Sequence, residues 1–176
     1  MAAYVKLTER MIEKATAYES KIIRTRTVRR HSNFTCLETA HRYFFGFLGE
    51  LAFVSKLDEC GIKYDHFVRT DGLTAESKFI LYTKEGPWKV IVRTASKETH
   101  QMLFVPKEKF MREECHAYIG IRLNLPESCA EIWGWIMKGD LFDLGTTQSP
   151  SGVMAYSIPL YQLKPIEILI NKLCLA

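Results

Sequence analysis

The sequence predicts an α/β domain built on a mixed β-sheet, and three observations carry that reading. Helical periodicity opens the chain in two stretches, residues 7–28 and 35–60. From Ile62 the period shortens to strand-like alternation, divided by turn chemistry at Asp71-Gly72 and at Glu85-Gly86-Pro87. A last apolar-periodic stretch, residues 160–175, closes the chain. The implied order is α-α-β-β-β-(α)-β-β-α, and helices set before and after a block of strands pack onto the faces of one sheet.

The elements follow in order. Thr8 is placed to cap the first helix. Thr35, with Glu38 three residues on, has the form of a capping box for the second. Leu37, His41, Phe44, Phe45, Leu48, Leu51, Ala52, Val54 and Leu57 then supply its apolar stripe, and Gly61 is placed to end it in the left-handed conformation. Tyr64, His66 and Val68 alternate as a strand. Residues 78–82 and 88–94 form a hairpin about Glu85-Gly86-Pro87. Residues 102–105 make a strand that Pro106 stops, 110–115 a short helix, and 117–123 and 131–136 two further strands. Trp133 and Trp135, two apart on a strand, are expected to share a face, which suits a core or interface better than a platform for bases. The Thr, Ser and Gly residues of 145–152 read as a surface loop, and the final helix is expected to start with Pro165 in its first turn. No repeat or linker interrupts the chain, so residues 1–176 are read as one domain, with 1–34 as an N-terminal helical extension.

Composition excludes several classes. The chain has 176 residues, 47% hydrophobic and 25% charged, as an ordinary globular domain does. No apolar run approaches the ~20 residues that cross a bilayer. Lys6, Glu9, Arg10 and Glu13 interrupt the first residues, which therefore lack the apolar block of a signal peptide, and the expected location is the cytoplasm with no membrane partner. Cys36, Cys60, Cys115, Cys129 and Cys174 form no CxxC pair and are odd in number. The five histidines show no HExxH grouping, so neither a zinc site nor a disulfide framework is expected. Net charge is +4, and its distribution says more than its size. Lys21, Arg24, Arg26, Arg29 and Arg30 crowd one stretch, with no acid between Lys21 and Glu38. Such a run suits a phosphate backbone, and it equally suits a solvated helix face.

Gly49-Glu50-Leu51-Ala52-Phe53, ending at Cys60-Gly61, precedes the hairpin whose second strand ends Ile91-Val92-Arg93-Thr94-Ala95-Ser96. This arrangement resembles the PD-(D/E)XK nuclease superfamily, which includes restriction enzymes and Holliday-junction resolvases, over roughly residues 38–136. The resemblance implies a restriction-endonuclease-like fold, a central mixed β-sheet flanked by helices. It also implies a site in which a helix Glu, a strand Asp and a Glu-x-Lys or Gln-x-Lys strand hold Mg²⁺ and position the attacking water. Carried over residue by residue, the helix acid is Glu50, the strand Asp falls on Lys78, the Glu or Gln on Ile91 and the Lys on Arg93. Lys78 puts a positive charge where a cation should sit, Ile91 ligates nothing through its side chain, and Arg93 stays protonated and so does no acid–base work.

The resulting expectation is a catalytically degenerate nuclease-fold protein that binds DNA or assembles with a nucleic-acid-processing partner. No cofactor is expected, Glu50 being the metal ligand if there is one. A salt bridge from Glu50 to Arg93 or Lys78 fills the old metal position, and Lys21, Arg24, Arg26, Arg29 and Arg30 face phosphates. Two alternatives stand beside it. One is an active Mg²⁺-dependent endonuclease with Glu76 or Asp71 as second acid and Lys89 in the lysine role. The other is a protein-interaction or structural module, including a homodimer, without nucleic acid.

Overall fold

The structure, a computed structural model, describes residues 2–27, 36–70, 75–96, 101–148 and 152–174. In chain order its elements are β1 (Ala3–Lys6), α1 (Glu9–Thr27), α2 (Cys36–Glu59), β2 (Tyr64–Thr70), β3 (Ala75–Thr83), β4 (Gly86–Ala95), β5 (Met102–Pro106), α3 (Lys107–Arg112), β6 (Ala117–Asn124), β7 (Cys129–Met137), α4 (Lys138–Asp143), β8 (Thr146–Gln148), β9 (Met154–Pro159), a 3₁₀ turn at Leu160–Gln162 and α5 (Ile166–Cys174).

Local chemistry sets the helix ends. Thr8 caps α1 as expected, its Oγ1 accepting the Met11 N–H at 3.3 Å. At the end of α2, Gly61 takes φ +66°. The Gly61 N–H then donates to the Asp58 carbonyl and the Ile62 N–H to the Leu57 carbonyl, both at 3.0 Å. This double bond is the Schellman closure, and Ile62 and Leu57 are both buried in the core beneath it. The two helices pack side by side, with the Tyr18 and Phe47 rings stacked 4.3 Å apart.

Six strands form the main sheet in the order β1-β7-β6-β4-β3-β2, and three form a second sheet, β5-β9-β8. The main sheet is mixed: β4 runs parallel to β6, while β2–β3, β3–β4, β6–β7 and β1–β7 are antiparallel. A parallel neighbour needs a crossover, and β5 and α3 supply it between β4 and β6. Both faces of the main sheet are covered. On one, Leu48, Phe53, Phe79, Leu81, Val90, Val92, Ile119 and Leu169 join α2, α5 and the sheet in a single core. On the other, Ile91, Tyr118 and Ile136 meet Leu103, Val105, Phe110, Leu141 and Tyr156 of the crossover, α4 and the second sheet.

Several expectations need correction. The N-terminal segment is not wholly helical, because β1 adds an edge strand to the main sheet with Val5 opposite Ala130. The helix expected at 110–115 lies at Lys107–Arg112 and begins directly after Pro106. Part of the expected 145–152 loop is β8, which pairs with β9; residues 149–151 lie outside the described residues. Pro165 precedes α5 instead of occupying its first turn. The Thr35 half of the capping box and the Asp71-Gly72 turn also lie outside the described residues.

Trp133 and Trp135 do not share a face. Gly120 pairs with Gly134 and the next rung joins Ile121 to Ile132, so Trp133 is an extra residue in β7. A bulge of this kind reverses the alternation beyond it. Trp135 consequently packs in the α2-side core, and Trp133 lies against the opposite one. Gly134 makes the bulge with φ +146°, and a Cβ there would stand 2.2 Å from the Lys164 carbonyl oxygen. That close approach lets Trp135 and Lys164 exchange two backbone hydrogen bonds, each 2.9 Å, which tie β7 to the segment leading into α5. Gly134→Ala is therefore expected to lower the unfolding free energy by at least ~2 kcal/mol in urea denaturation. Gly139→Ala, in α4 with nothing within 4 Å of a new Cβ, is expected to be neutral or stabilising in the same assay.

Candidate functional site

Period two along β4 sorts its residues between the two cores. Val90 and Val92 enter the α2 side, and Ile91 enters the other. Thr94 continues the α2 side. A Cβ at Gly49 would lie 2.1 Å from Thr94 Oγ1, so glycine at position 49 is what lets α2 rest on β4. That seating carries Glu50 down to the sheet.

There the Glu50 carboxylate meets His66 from β2. The Nε2 of His66 lies 3.3 Å from Glu50 Oε2 and 2.9 Å from the Ser77 hydroxyl of β3. The imidazole is stacked on Phe79 with ring centroids 4.2 Å apart and planes inclined by 6°. The Glu50 and His66 side chains are only 14% and 15% exposed, so each needs the other as a polar partner. A carboxylate only accepts, so the Glu50 contact is a hydrogen bond in the tautomer that carries the proton on Nε2. Serine and acid therefore share one ring nitrogen. A relay from acid through histidine to a serine nucleophile needs both nitrogens, so this trio is not a hydrolase triad. Tyr18 of α1 completes the surroundings, with its hydroxyl pushed up to about 12, first by burial and then by the negative charge of Glu50.

The opposite face of β4 holds a second polar cluster. Arg93 donates through Nη2 to Glu113 Oε1, and its guanidinium lies over the Tyr118 ring, 5.6 Å from the centroid. The Tyr118 hydroxyl donates to Glu113 Oε2 at 3.0 Å, and Lys138 Nζ donates to the Glu113 carbonyl. Nearer the start of the strand, Lys89 Nζ is 3.6 Å from Glu114 Oε2. Burial pushes the Cys115 thiol and the Tyr118 hydroxyl up. The Nε of Arg93 is buried with no hydrogen-bond partner among the described residues.

The structure thus divides the sequence-derived positions between two faces. Glu50 is on the α2 side. Lys78, Ile91, Arg93 and Lys89 are on the other: Lys78 alternates with Phe79, is exposed, and has its Nζ 6.0 Å from the centroid of the Phe67 ring. The expected salt bridge from Glu50 to Arg93 or Lys78 is therefore corrected. Each cation sits one residue out of phase with the positions that face α2, and a one-residue offset on a strand means the opposite face. Glu50 pairs with His66 instead, and Arg93 with Glu113. The main chain of Glu76 lies in β3, but its side chain, like all of Asp71, is outside the described residues. Lys21 is exposed on α1, and Arg24 and Arg26 fall in the last turns of that helix. The side chains of Arg24 and Arg26, and all of Arg29 and Arg30, lie outside the described residues.

Sequence reasoning missed His66, Ser77 and Glu113. The alternation of Tyr64, His66 and Val68 placed His66 on one strand face, but nothing local tied that face to Glu50. Among the described residues no three His, Cys, Asp or Glu side chains come together as a metal-holding group. No helix among them is long and apolar enough to cross a membrane.

A family model described as a protein of unknown function, DUF1822, matches residues 81–176, more than half of the chain. No curated protein and no solved structure matches the chain.

Tyr18 reports on the Glu50 carboxylate. In a spectrophotometric titration, the tyrosine that ionises at about 12 and disappears in Tyr18→Phe is expected to ionise at lower pH in Glu50→Gln. The sign follows from linkage. Folding raises this pKa from 10.0, so the stability it contributes is complete below that value and is lost as pH climbs toward 12. An unchanged Tyr18 titration in Glu50→Gln would place the carboxylate elsewhere.

Proposed function

This chain belongs to the DUF1822 family, and we propose that it is a non-catalytic member of the restriction-endonuclease-like fold that binds DNA through the basic stretch from Lys21 to Arg30. The fold half of the proposal is supported by a helix bearing Gly49-Glu50 that is seated on a β-hairpin, followed by a crossover to a parallel strand. That order of helix, hairpin and crossover is the one the PD-(D/E)XK resemblance implies, although Glu50 lies across the sheet from Lys78 and Arg93 instead of beside them.

One observation carries the functional half. Lys78, Ile91 and Arg93, the positions where a nuclease places its Asp, Glu and Lys, lie together on one sheet face, with Lys78 and Ile91 one step beyond the last β3–β4 rung, Phe79 opposite Val90. They present two cations and an aliphatic chain, and the better buried cation, Arg93, is committed to Glu113. Two cations at these positions repel a divalent ion, and the Glu113 carboxylate on that face is paired with Arg93. Glu50, on the other side, is engaged by His66.

DNA contact then falls to Lys21, Arg24, Arg26, Arg29 and Arg30. Lys21 and Arg24 lie three and six residues beyond Tyr18 on α1, roughly 5 and 9 Å along the helix axis, so the basic run begins where the α1–α2 hairpin leaves Glu50 behind. Cations in such a run neutralise phosphates and release counterions, which gives affinity without sequence preference.

Replacing Lys21, Arg24, Arg26, Arg29 and Arg30 with alanine is expected to weaken duplex binding by about tenfold or more at low salt. It should also flatten the dependence of log K on log salt by roughly 0.9 for each phosphate contact removed. Glu50→Ala is expected to leave binding unchanged, and added Mg²⁺ or Mn²⁺ to produce no strand cleavage. Metal-dependent cleavage that Glu50→Ala abolishes contradicts the proposal, and so does binding that ignores the five-residue replacement.

A further inference from the structure

β2 is the last strand of the main sheet. β3 pairs with one of its edges, and no strand among the described residues pairs with the other. An open edge of seven residues presents unpaired N–H and C=O groups and is a template for another strand. Proteins usually blunt such an edge with scattered charge or a bulge, and the charges on β2 are not scattered.

The strand reads Tyr64-Asp65-His66-Phe67-Val68-Arg69-Thr70. Tyr64 and His66 pack toward Phe79 on the α2 side. Backbone alternation therefore puts positions 65, 67 and 69 in the opposite phase of the strand, the side chain of Arg69 itself lying outside the described residues. Phe67 stands at the centre of that row and is 48% exposed, a large apolar side chain left in water. Asp65 is held ready at the surface by the Tyr82 hydroxyl, which donates to its Oδ2.

We infer that this edge pairs antiparallel with β2 of a second copy of the chain, about a two-fold axis through Phe67. In that register Asp65 of each copy lies opposite Arg69 of the other, and Phe67 faces its own counterpart. Opposite charges and paired aromatics directly across a ladder both stabilise it. The alternatives are disfavoured by the same residues. Parallel in-register pairing sets Asp65 against Asp65 and Arg69 against Arg69. A two-residue slip of the antiparallel pair sets Lys63 against Arg69. Self-complementarity about a central residue is the requirement of an isologous two-fold contact, so the pattern selects a second copy over an unrelated strand. The inference does not rest on the nucleic-acid reading.

Charge reversal tests it without touching the core. Wild-type protein is expected to sediment as a dimer at tens of micromolar. Asp65→Arg and Arg69→Asp are each expected to give monomers at the same concentration, because each sets like charges opposite one another twice. The double variant Asp65→Arg/Arg69→Asp restores opposite charges in swapped positions and is expected to return to a dimer. Loss of the Tyr82 hydrogen bond alone would not be repaired in this way. In a Cys174→Ser background, which removes the exposed native thiol, Phe67→Cys on the axis is expected to form under mild oxidation a covalent dimer that Cys174→Ser alone does not form. Wild-type protein that is monomeric at every concentration overturns the inference. So does a dimer indifferent to both single reversals, or a folded double variant that remains monomeric.

Discussion

Strand β4 is covered on both faces, and the alternation of its side chains decides which residues of the protein can meet. Val90 and Val92 are committed to the core beneath α2, and Ile91 to the core beneath the crossover. Burying such a strand on both sides leaves no freedom to slip by one residue, because a slip would carry Arg93 into the α2-side core and Val92 into the polar cluster around Glu113. The positions of Glu50 and Arg93 follow from that constraint. They lie on α2 and β4, which touch through Thr94 and Gly49, yet the sheet stands between them.

Each face then satisfies its own buried charge. On the α2 side Glu50 has His66, whose ring is held flat against Phe79. On the other side Arg93 has Glu113, and Glu131, 5% exposed, is gripped by Arg122 through contacts of 2.8 and 2.6 Å and by the Trp133 indole N–H at 2.9 Å. Buried pairs of this kind add little net stability, because desolvation offsets attraction. Losing one partner, however, costs on the order of 3–5 kcal/mol. Their effect is to fix register: Arg122 and Glu131 are directly opposed across β6 and β7, on the stretch beyond the bulge where Trp133 is the extra residue.

Legibility in the sequence tracked the range of the interactions. Thr8, Gly61 and the Glu85-Gly86-Pro87 turn act on neighbours a few residues away, and the helix ends and the β3–β4 hairpin were readable from them. β1 and β8, of four and three residues, carry too little pattern to announce themselves and exist because β7 and β9 offer them an edge. Pro106 reads locally as the end of a strand, whereas a proline also suits the residue just before a helix, and α3 begins directly after it. Period two alone puts both tryptophans on one face, because a bulge is written in its partner as much as in its own strand. The polar contacts were the least legible. His66 is 16 residues from Glu50, and Glu113 is 20 from Arg93, and no local rule spans such distances. The carboxylate of the Gly49-Glu50 pair was found, but the group that answers it was not.

A pair of double-mutant cycles on equilibrium unfolding tests the separation of the two faces most directly, one combining Glu50→Ala with His66→Ala and the other combining Glu50→Ala with Arg93→Ala. Glu50 and His66 are expected to couple by about 0.5–1.5 kcal/mol, and Glu50 and Arg93 to be additive within ~0.5 kcal/mol. Coupling between Glu50 and Arg93, with none between Glu50 and His66, would mean that the carboxylate crosses to the cationic face and that the sheet does not separate the two.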